Sequence, residues 1–316
     1  MSEPLPPAVA AERAARRSSA IGLTLALLGA VAFSGKAIIV KLAYRYGVDA
    51  VTLIMLRMLF ALPIFAAMAW WASRGKAPLD RRDWLGVLGL GVSGYYLASF
   101  LDFAGLAYIS AGLERLILYL NPTIVLLLGW AVYGRVIRRG QALGMAVSYC
   151  GVVLVFGIEA QRSQSSEAAW GALLVFLSAI SYAVYLVYSG ELVQRLGSVR
   201  LVGLATTVAC GCCLLQFVLL RPVASLLLVA PEVLWLSLLN ATLCTAAPVL
   251  MVMMAVERIG AGAASQVGMV GPLSTLLMGA WLLDEPFTLW VVAGTALVIA
   301  GVYVFSRSAQ PLKKQA

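Results

Sequence analysis

The chain of 316 residues is 62% hydrophobic and only 12% charged, and its mean hydropathy is +0.94. A soluble protein of this length needs far more charged surface, so the composition indicates a membrane protein. The net charge of +9 does not indicate nucleic-acid binding, because the basic residues form short clusters between apolar blocks. The sequence contains no histidine, the commonest metal ligand, and we expect no metal and no cofactor.

Ten apolar blocks follow one another along the chain, each about long enough for a helix to cross roughly 30 Å of hydrocarbon. The first 19 residues are polar and arginine-containing, without a cleavable apolar core, so we expect the first span to be retained. The ten predicted spans, numbered one to ten in chain order, are 20–42, 50–72, 83–106, 109–133, 140–158, 169–190, 199–220, 232–255, 261–282 and 287–306.

The distribution of lysine and arginine predicts the orientation of these spans. With a cytoplasmic amino terminus, 16 of the 23 basic residues fall in inside segments, four in outside segments and three within spans. Positive residues favour the cytoplasmic side of a membrane. We therefore expect a multi-pass protein of a bacterial-type inner membrane, with both termini in the cytoplasm.

An internal repeat appears when the chain is shifted by 150 residues. "AYISAGLERLILYLNPTIVLLLGW" (107–130) then aligns with "ERIGAGAASQVGMVGPLSTLLMGA" (257–280), and Pro122 meets Pro272. Each copy holds five spans, and an odd number inverts the second copy in the membrane, as in many secondary transporters. The predicted organisation is a cytoplasmic tail (1–19), a first five-helix repeat (20–158), an external linker (159–168), a second five-helix repeat (169–307) and a cytoplasmic tail (308–316).

Several motifs resemble one known family over nearly the whole chain. They are Arg57 in "LRMLFALP", the paired Pro122 and Pro272, the acidic turn "LLDEPFT" (282–288) and the closing "AGTALVIAGVYVF". Together with two five-span halves, they resemble the EamA-type carriers of the drug/metabolite transporter superfamily, and most the YddG-type amino-acid exporters. The resemblance implies an all-α membrane fold around a central cavity, and export of amino acids. The first half has "YGRVIRR" (133–139) in place of the acidic turn, so no role is carried over to it.

Five ionisable residues fall inside spans one to four: Lys36, Arg57, Asp102, Glu114 and Arg115. Such residues are costly in a bilayer, and they normally face a wet cavity or pair with one another. In the predicted topology all five lie roughly 7 to 11 Å below the outer surface. Two interpretations stay open: a structural ion-pair network, or a polar vestibule that contacts substrate. For Lys36 and Asp102 we favour the vestibule and expect both to border the cavity.

Polar and tyrosine side chains at helical spacing predict further inward-facing surfaces. Buried tyrosine hydroxyls need hydrogen-bond partners, although a tyrosine near a span end also serves as an interfacial anchor. A cavity with a cation, carboxylates and aromatic rings suits a small zwitterion or an amphipathic amine. The candidate cavity residues are Tyr95, Ser99 and Asp102 on span three, Glu114, Arg115 and Tyr119 on span four, Tyr182 and Tyr185 on span six, and Lys36 on span one.

Two kinds of backbone feature are also predicted. Pro122, Pro248 and Pro272 interrupt spans four, eight and nine, where each frees a carbonyl that lipid cannot satisfy, so we read them as hinges or static kinks. Glycines seven residues apart on spans five and ten predict close helix packing without chemistry. These glycines are Gly144 and Gly151 on span five, and Gly294 and Gly301 on span ten.

The leading functional prediction is a secondary carrier that exports amino acids or related small metabolites by alternating access. The alternative is an exporter of cationic drugs or quaternary amines, with Glu114 as the counter-charge. Proton coupling is open, with Asp102 and Glu114 as the acidic candidates. An intramembrane enzyme is disfavoured, because the sequence has no histidine and no Gly-x-Ser-x-Gly elbow, and we predict no catalytic residue. The expected partners are the lipid bilayer and a small-molecule substrate.

Overall fold

The computed structural model describes residues 7–134, 137–162, 165–268 and 270–309, and the regular structure in these ranges is entirely helical. Two π-helical turns, Gly91–Leu97 and Thr242–Ala246, lie between α-helices, and a short 3₁₀ segment covers Val223–Leu228. The helices are α1 (Pro7–Tyr44), α2 (Ala50–Ser73), α3 (Arg81–Leu90), α4 (Ala98–Leu106), α5 (Ala111–Leu118), α6 (Asn121–Tyr133), α7 (Arg139–Arg162), α8 (Ser165–Leu196), α9 (Ser198–Leu220), α10 (Pro231–Ala241), α11 (Ala247–Gly268), α12 (Gly271–Leu282) and α13 (Leu289–Ala309).

Within the described ranges, nine helical segments are long and apolar enough to cross a membrane, and they correspond to predicted spans one to eight and ten. Predicted span nine (261–282) is divided between the end of α11 and the short α12. The expected connection at 256–260 is helical, because α11 continues through it. This segment contains no proline, and position 260 is glycine where the first repeat has Ser110, the residue that caps α5.

The two halves share backbone features at equivalent positions. Both π-helical turns lie in the third span of their half, and a shift of 150 residues superimposes 91–97 on 241–247. The helix of span four is interrupted between α5 and α6, and the helix is interrupted at the equivalent place between α11 and α12. α1 packs against α11 and α12, as α8 packs against α4 and α6. These paired features fit two inverted repeats.

The three prolines predicted as hinges or kinks lie in the first turn of a helix. Pro122 and Pro272 each stand in the first turn of a helix, α6 and α12, where a missing N–H costs little. Pro248 follows the π-helical turn at the start of α11. A further proline, Pro63, lies inside α2 without ending it. Spans four and nine are therefore interrupted helices with two separate halves.

The glycines of spans five and ten bring α7 and α13 into backbone contact. A Cβ on Gly144 would lie 2.6 Å from the carbonyl oxygen of Gly301, and one on Gly151 would lie 2.6 Å from that of Gly294. No side chain fits at these distances, so the predicted close packing of the two helices is confirmed.

Tryptophan side chains mark the two levels at which the bundle meets the membrane surfaces. All eight are between 45% and 82% exposed, as expected for rings at the lipid headgroups. We call the end with residues 45–49, 107–110, 221–230 and 283–288 the outer end, following the lysine and arginine bias. Trp170, Trp235, Trp281 and Trp290 lie towards the outer end, and Trp70, Trp71, Trp84 and Trp130 towards the inner end.

Ion pairs connect the two halves at both ends. At the outer end, Nε of Arg221 lies 3.3 Å from Oδ2 of Asp49. Burial alone would raise the pKa of the Asp49 carboxyl, but hydrogen bonds from Thr52 and Arg221 hold it below its usual value. At the inner end, Nη2 of Arg195 lies 3.0 Å from Oδ1 of Asp83. These contacts are partly exposed, so each stabilises the fold by no more than about 1 kcal/mol.

Candidate functional site

Three of the predicted charges meet in one buried cluster, which we call the charged triad: Lys36 on α1, Asp102 on α4 and Glu114 on α5. Nζ of Lys36 lies 2.5 Å from Oδ2 of Asp102 and 3.2 Å from Oε1 of Glu114. Lys36 is 6% exposed, Asp102 3% and Glu114 0%. One ammonium group is therefore shared between two carboxylates, deep among three spans of the first repeat.

The triad leaves carboxylate oxygens without hydrogen bonds. Oδ1 of Asp102 and Oε2 of Glu114 are buried and accept no hydrogen bond from the described residues. With all three groups ionised, the triad itself carries one negative charge in excess, and Arg57 and Arg115 lie close enough to interact with its carboxylates. Buried polar atoms are nearly always satisfied, and an unsatisfied carboxylate oxygen is costly in a low-dielectric interior. The free oxygens can therefore receive a proton or a donor group of a ligand.

The two arginines of the predicted set contact the second repeat. Nε of Arg115 donates to Oγ1 of Thr275 at 3.1 Å, and its Nη2 donates to the carbonyl of Phe33 at 2.9 Å. Nε of Arg57 donates to Oγ1 of Thr245 at 3.1 Å, next to the second π-helical turn. The arginines thus hold the first repeat against α12 and the π-helical turn of the second.

The two interrupted helices meet at Tyr119. Proline lacks an N–H, so Pro272 leaves the carbonyl of Gly268, four residues earlier, without its helical donor. The hydroxyl of Tyr119, at the end of α5, donates to this carbonyl. Oγ of Ser34 on α1 donates to the carbonyl of Gly271 at 3.0 Å. Backbone groups that lipid cannot satisfy are therefore satisfied across the interface between the halves.

A second group of predicted residues forms a tyrosine cluster on spans three and six. The hydroxyls of Tyr95 and Tyr185 lie 3.3 Å apart, and their rings make an edge contact with centroids 5.2 Å apart. The ring of Tyr182 stacks on that of Tyr185 at 5.5 Å and is 38% exposed. Ser99 is half-buried on α4. The tyrosines contact one another and the triad residues contact one another, so the predicted residues divide into separate groups.

A cavity of about 520 Å³ lies at the outer end, and none of the nine predicted cavity residues lines it. Lys36 and Asp102, which we expect to border a cavity, form an ion pair with each other and do not line this one. Sequence reasoning missed this outer cavity because its walls come from the end of α1 and from two connections that are remote in sequence, 107–110 and 283–286. It is lined by Lys41, Tyr44, Arg45, Ala107, Tyr108, Ile109, Ser110, Leu283, Asp284, Glu285 and Pro286.

Glu285, from the acidic turn, completes the start of a helix in the other half. Its carboxylate accepts hydrogen bonds from the backbone N–H groups of Ala111, at 2.8 Å, and Gly112, at 3.3 Å. These are the first two residues of α5, where backbone donors have no helical partner and a negative charge is favoured. The motif "LLDEPFT" was the sequence signal for this contact, but its partner was not predictable. Arg135 and Val136 of "YGRVIRR" lie outside the described residues.

Interrupted helices, buried intramembrane charges and two similar halves define a polytopic membrane transporter. The model of the EamA-like transporter family matches the chain twice, at residues 20–157 and 169–307. The chain therefore belongs to the EamA-like transporter family.

Similar proteins carry transporter names. The chain is 30% identical over 299 residues to the uncharacterized transporter YcbK of Bacillus subtilis (strain 168), covering 90% of this chain and 92% of that protein. It is 26% identical over 293 residues to a probable amino-acid metabolite efflux pump of Salmonella typhimurium, covering 89% and 93%. A solved structure, described only as the crystal structure of a protein, matches with a TM-score of 0.58 at 20% identity, covering 94% and 99%. That structural match shows the fold alone.

Proposed function

We propose that this protein is a secondary transporter that exports amino acids or related small metabolites across the inner membrane by alternating access. The observation that carries the proposal is the meeting of two interrupted helices at Tyr119 and Gly268, beside Arg115, one turn earlier on α5. In transporters built from inverted repeats, such breaks form the substrate site at the repeat interface. Residues 20–158 and 169–307 are the two halves that move, and both termini lie in the cytoplasm.

The chemistry of the charged triad suits an amino-acid substrate. An amino acid presents an ammonium group, and Asp102 and Glu114 are two carboxylates that Lys36 satisfies only in part. When the halves separate, one carboxylate accepts the substrate ammonium, and Lys36 or Arg115 then receives the substrate carboxylate.

Export of organic cations is the second candidate function. It is favoured by the excess of carboxylate over ammonium in the triad, which leaves Glu114 available as a counter-charge. The probable amino-acid metabolite efflux pump among the similar proteins supports the first candidate. Competition of quaternary amines with a labelled substrate, without competition by amino acids, would favour the second.

Proton coupling rests on the same two carboxylates. Asp102 and Glu114 compete for one ammonium group, so a proton on either removes the excess negative charge. We expect an imposed pH gradient to change the rate of export. Export that is indifferent to such a gradient would exclude proton coupling but not export itself.

Transport into proteoliposomes tests the proposal directly. Removing either charge of the Lys36–Asp102 pair leaves a buried unpaired partner, so the informative variants are Lys36→Arg and Asp102→Glu, which keep the charge and alter the geometry. We expect both to slow counterflow of labelled amino acids at unchanged protein yield, with exposed Lys76→Arg as the matched control. Wild-type protein that moves no amino acid from a broad panel above empty vesicles would overturn the proposal.

A further inference from the structure

The outer cavity has the size and composition of a small-molecule site. Its volume is about 520 Å³, inside the range of roughly 300 to 1,000 Å³ that is usual for ligand pockets. Lys41, near the end of α1, and Arg45, directly after it, form one wall, and the acidic residues Asp284 and Glu285 form another. Charges of both signs therefore border one space at the end of the bundle.

The cations of this cavity are bound only to neutral oxygens. Nζ of Lys41 donates to the carbonyl of Ile109 at 2.9 Å, and Nη2 of Arg45 donates to the carbonyl of Leu283 at 3.0 Å. An ammonium group has three donors and a guanidinium five, so most donors remain for a ligand. Within the described residues neither cation forms an ion pair, in contrast to Arg221, which pairs with Asp49 at the same end. A carboxylate is a stronger partner for them than a carbonyl.

The two acidic residues of the cavity differ in their contacts. Glu285 is occupied, because its two oxygens accept the backbone N–H groups of Ala111 and Gly112. Asp284 is exposed and adopts a left-handed backbone with φ of 58°, the one non-glycine residue of the described ranges that does so. This conformation ends α12, because the N–H of Glu285, the next residue, reaches back to the carbonyl of Gly279 at 3.1 Å. The Asp284 carboxylate is therefore the group at this wall that can meet an ammonium.

We propose that the outer cavity is an exit site for a zwitterion, in which Lys41 and Arg45 bind the carboxylate of the exported molecule and Asp284 its ammonium group. The inference rests on the proposed function and adds a second substrate site outside the charged triad. Lys41 follows Lys36 by five residues on α1, so it lies about 7.5 Å further out and about 140° further around the helix axis.

Protection of an engineered cysteine tests the exit site without relying on transport. Tyr108 lines the cavity and is 43% exposed, so Tyr108→Cys is labelled from outside by a membrane-impermeant maleimide. The exposed native Cys150 is replaced by serine in all variants. The probes are a mixture of neutral L-amino acids and the mixture of their amides, which lack the carboxylate, both added to intact cells. Leu227→Cys, 89% exposed and away from the cavity, is the control position.

We expect the amino acids to slow labelling of Tyr108→Cys and the amides not to do so. Adding Lys41→Met or Arg45→Gln should raise the half-protecting concentration by about tenfold or more, since a hydrogen bond between charged groups contributes about 1.5 to 3 kcal/mol. Arg45→Lys should restore part of the protection. Arg221→Gln removes an outer cation that does not line the cavity and should change nothing. Labelling rates without probe check that each variant keeps its fold.

Three outcomes would overturn the exit site: no protection by amino acids, equal protection by the amides, or full protection in the Lys41→Met and Arg45→Gln variants. Counterflow of labelled amino acids, measured on the same variants, separates this inference from the proposed function. Export without protection removes the exit site and leaves the exporter. Protection without export by the wild-type protein removes the exporter and leaves an external carboxylate site.

Discussion

The two halves of this transporter share a backbone but not a chemistry. The π-helical turns and the helix breaks recur 150 residues apart, whereas the charged triad of the first half has apolar counterparts in the second. In the proposed mechanism, a shared backbone lets the halves exchange roles about a common axis. Because the triad is confined to one half, the proposed substrate site is asymmetric. The counterparts of Lys36, Asp102 and Glu114 are Leu186, Val252 and Ala264.

Two equivalent close contacts between helices of the two halves are filled by residues of different size. Gly94 of the first half lies under the ring of Tyr185 of the second, and a Cβ there would be 2.4 Å from Cγ of that ring. At the equivalent contact the sizes are exchanged: Gly35 lies under Cys244, and a Cβ there would be 3.1 Å from Sγ. Both contacts need one glycine, but only the first leaves room for an aromatic ring. The tyrosine cluster therefore exists on one side of the molecule alone.

The largest expected effect comes from removing a charge that one half has and the other lacks. Lys36→Met leaves Asp102 and Glu114 buried without a cation, and we expect the free energy of unfolding to fall by about 3 to 5 kcal/mol. The matched change in the second half, Leu186→Met, should cost less than about 1.5 kcal/mol. Denaturant unfolding followed by circular dichroism compares the two. Adding Glu114→Gln to Lys36→Met should recover part of the loss, and equal costs for both single variants would contradict the asymmetry.

Equivalent glycine-to-alanine changes on α7 and α13 should lower the free energy of unfolding by similar amounts. Gly144 and Gly294 are equivalent in the repeat, and a Cβ on either meets the partner helix within 2.6 Å. We expect Gly144→Ala and Gly294→Ala each to lower the free energy of unfolding by about 1 to 3 kcal/mol, because the backbones must move apart. Gly157→Ala, with open space around the added carbon, is the control. Unequal costs would mean that the two repeats do not pack about a shared axis.

Removing one hydroxyl tests whether the contact between the two helix breaks affects stability, export or both. Tyr119→Phe removes the donor to the Gly268 carbonyl, and we expect a loss of about 0.5 to 1.5 kcal/mol together with slower export. Tyr188→Phe, at a side chain that is 50% exposed, should change neither. Unfolding and counterflow measurements on both variants make the comparison. Unchanged export in Tyr119→Phe would show that the contact only stabilises the break.

The smallest effect concerns the outer ion pair between the halves. Because the folded-state pKa of Asp49 is lowered, its contribution is present above the unfolded-state pKa of about 3.9 and is lost as the pH falls through the folded value. Asp49→Asn should therefore cost a constant amount, at most about 1 kcal/mol, between about pH 5 and pH 8. Thermal unfolding across this range measures it. A pH-dependent export rate that disappears in Asp49→Asn would assign the proton response to this pair instead of the triad.

Local sequence signals predicted much of this arrangement, and their failures have physical causes. Helix-length apolar blocks and the glycine spacing of α7 and α13 depend on neighbouring residues, so they were readable without the structure. The connection before predicted span nine was wrong, because α11 lacks both a capping residue and a proline there. The partner of Glu285 was not readable, because Ala111 and Gly112 offer only backbone groups.

The sequence by itself determined the membrane class, the extent of spans one to eight and ten, and the repeat, because hydropathy and periodicity act along the chain. Tertiary structure alone decided which charges meet. It placed Lys36 between Asp102 and Glu114, directed Arg57 and Arg115 to threonines of the other half, and left Lys41 and Arg45 with carbonyls around the outer cavity. Equal depth in a bilayer fixes one coordinate of a side chain, and helix packing fixes the other two.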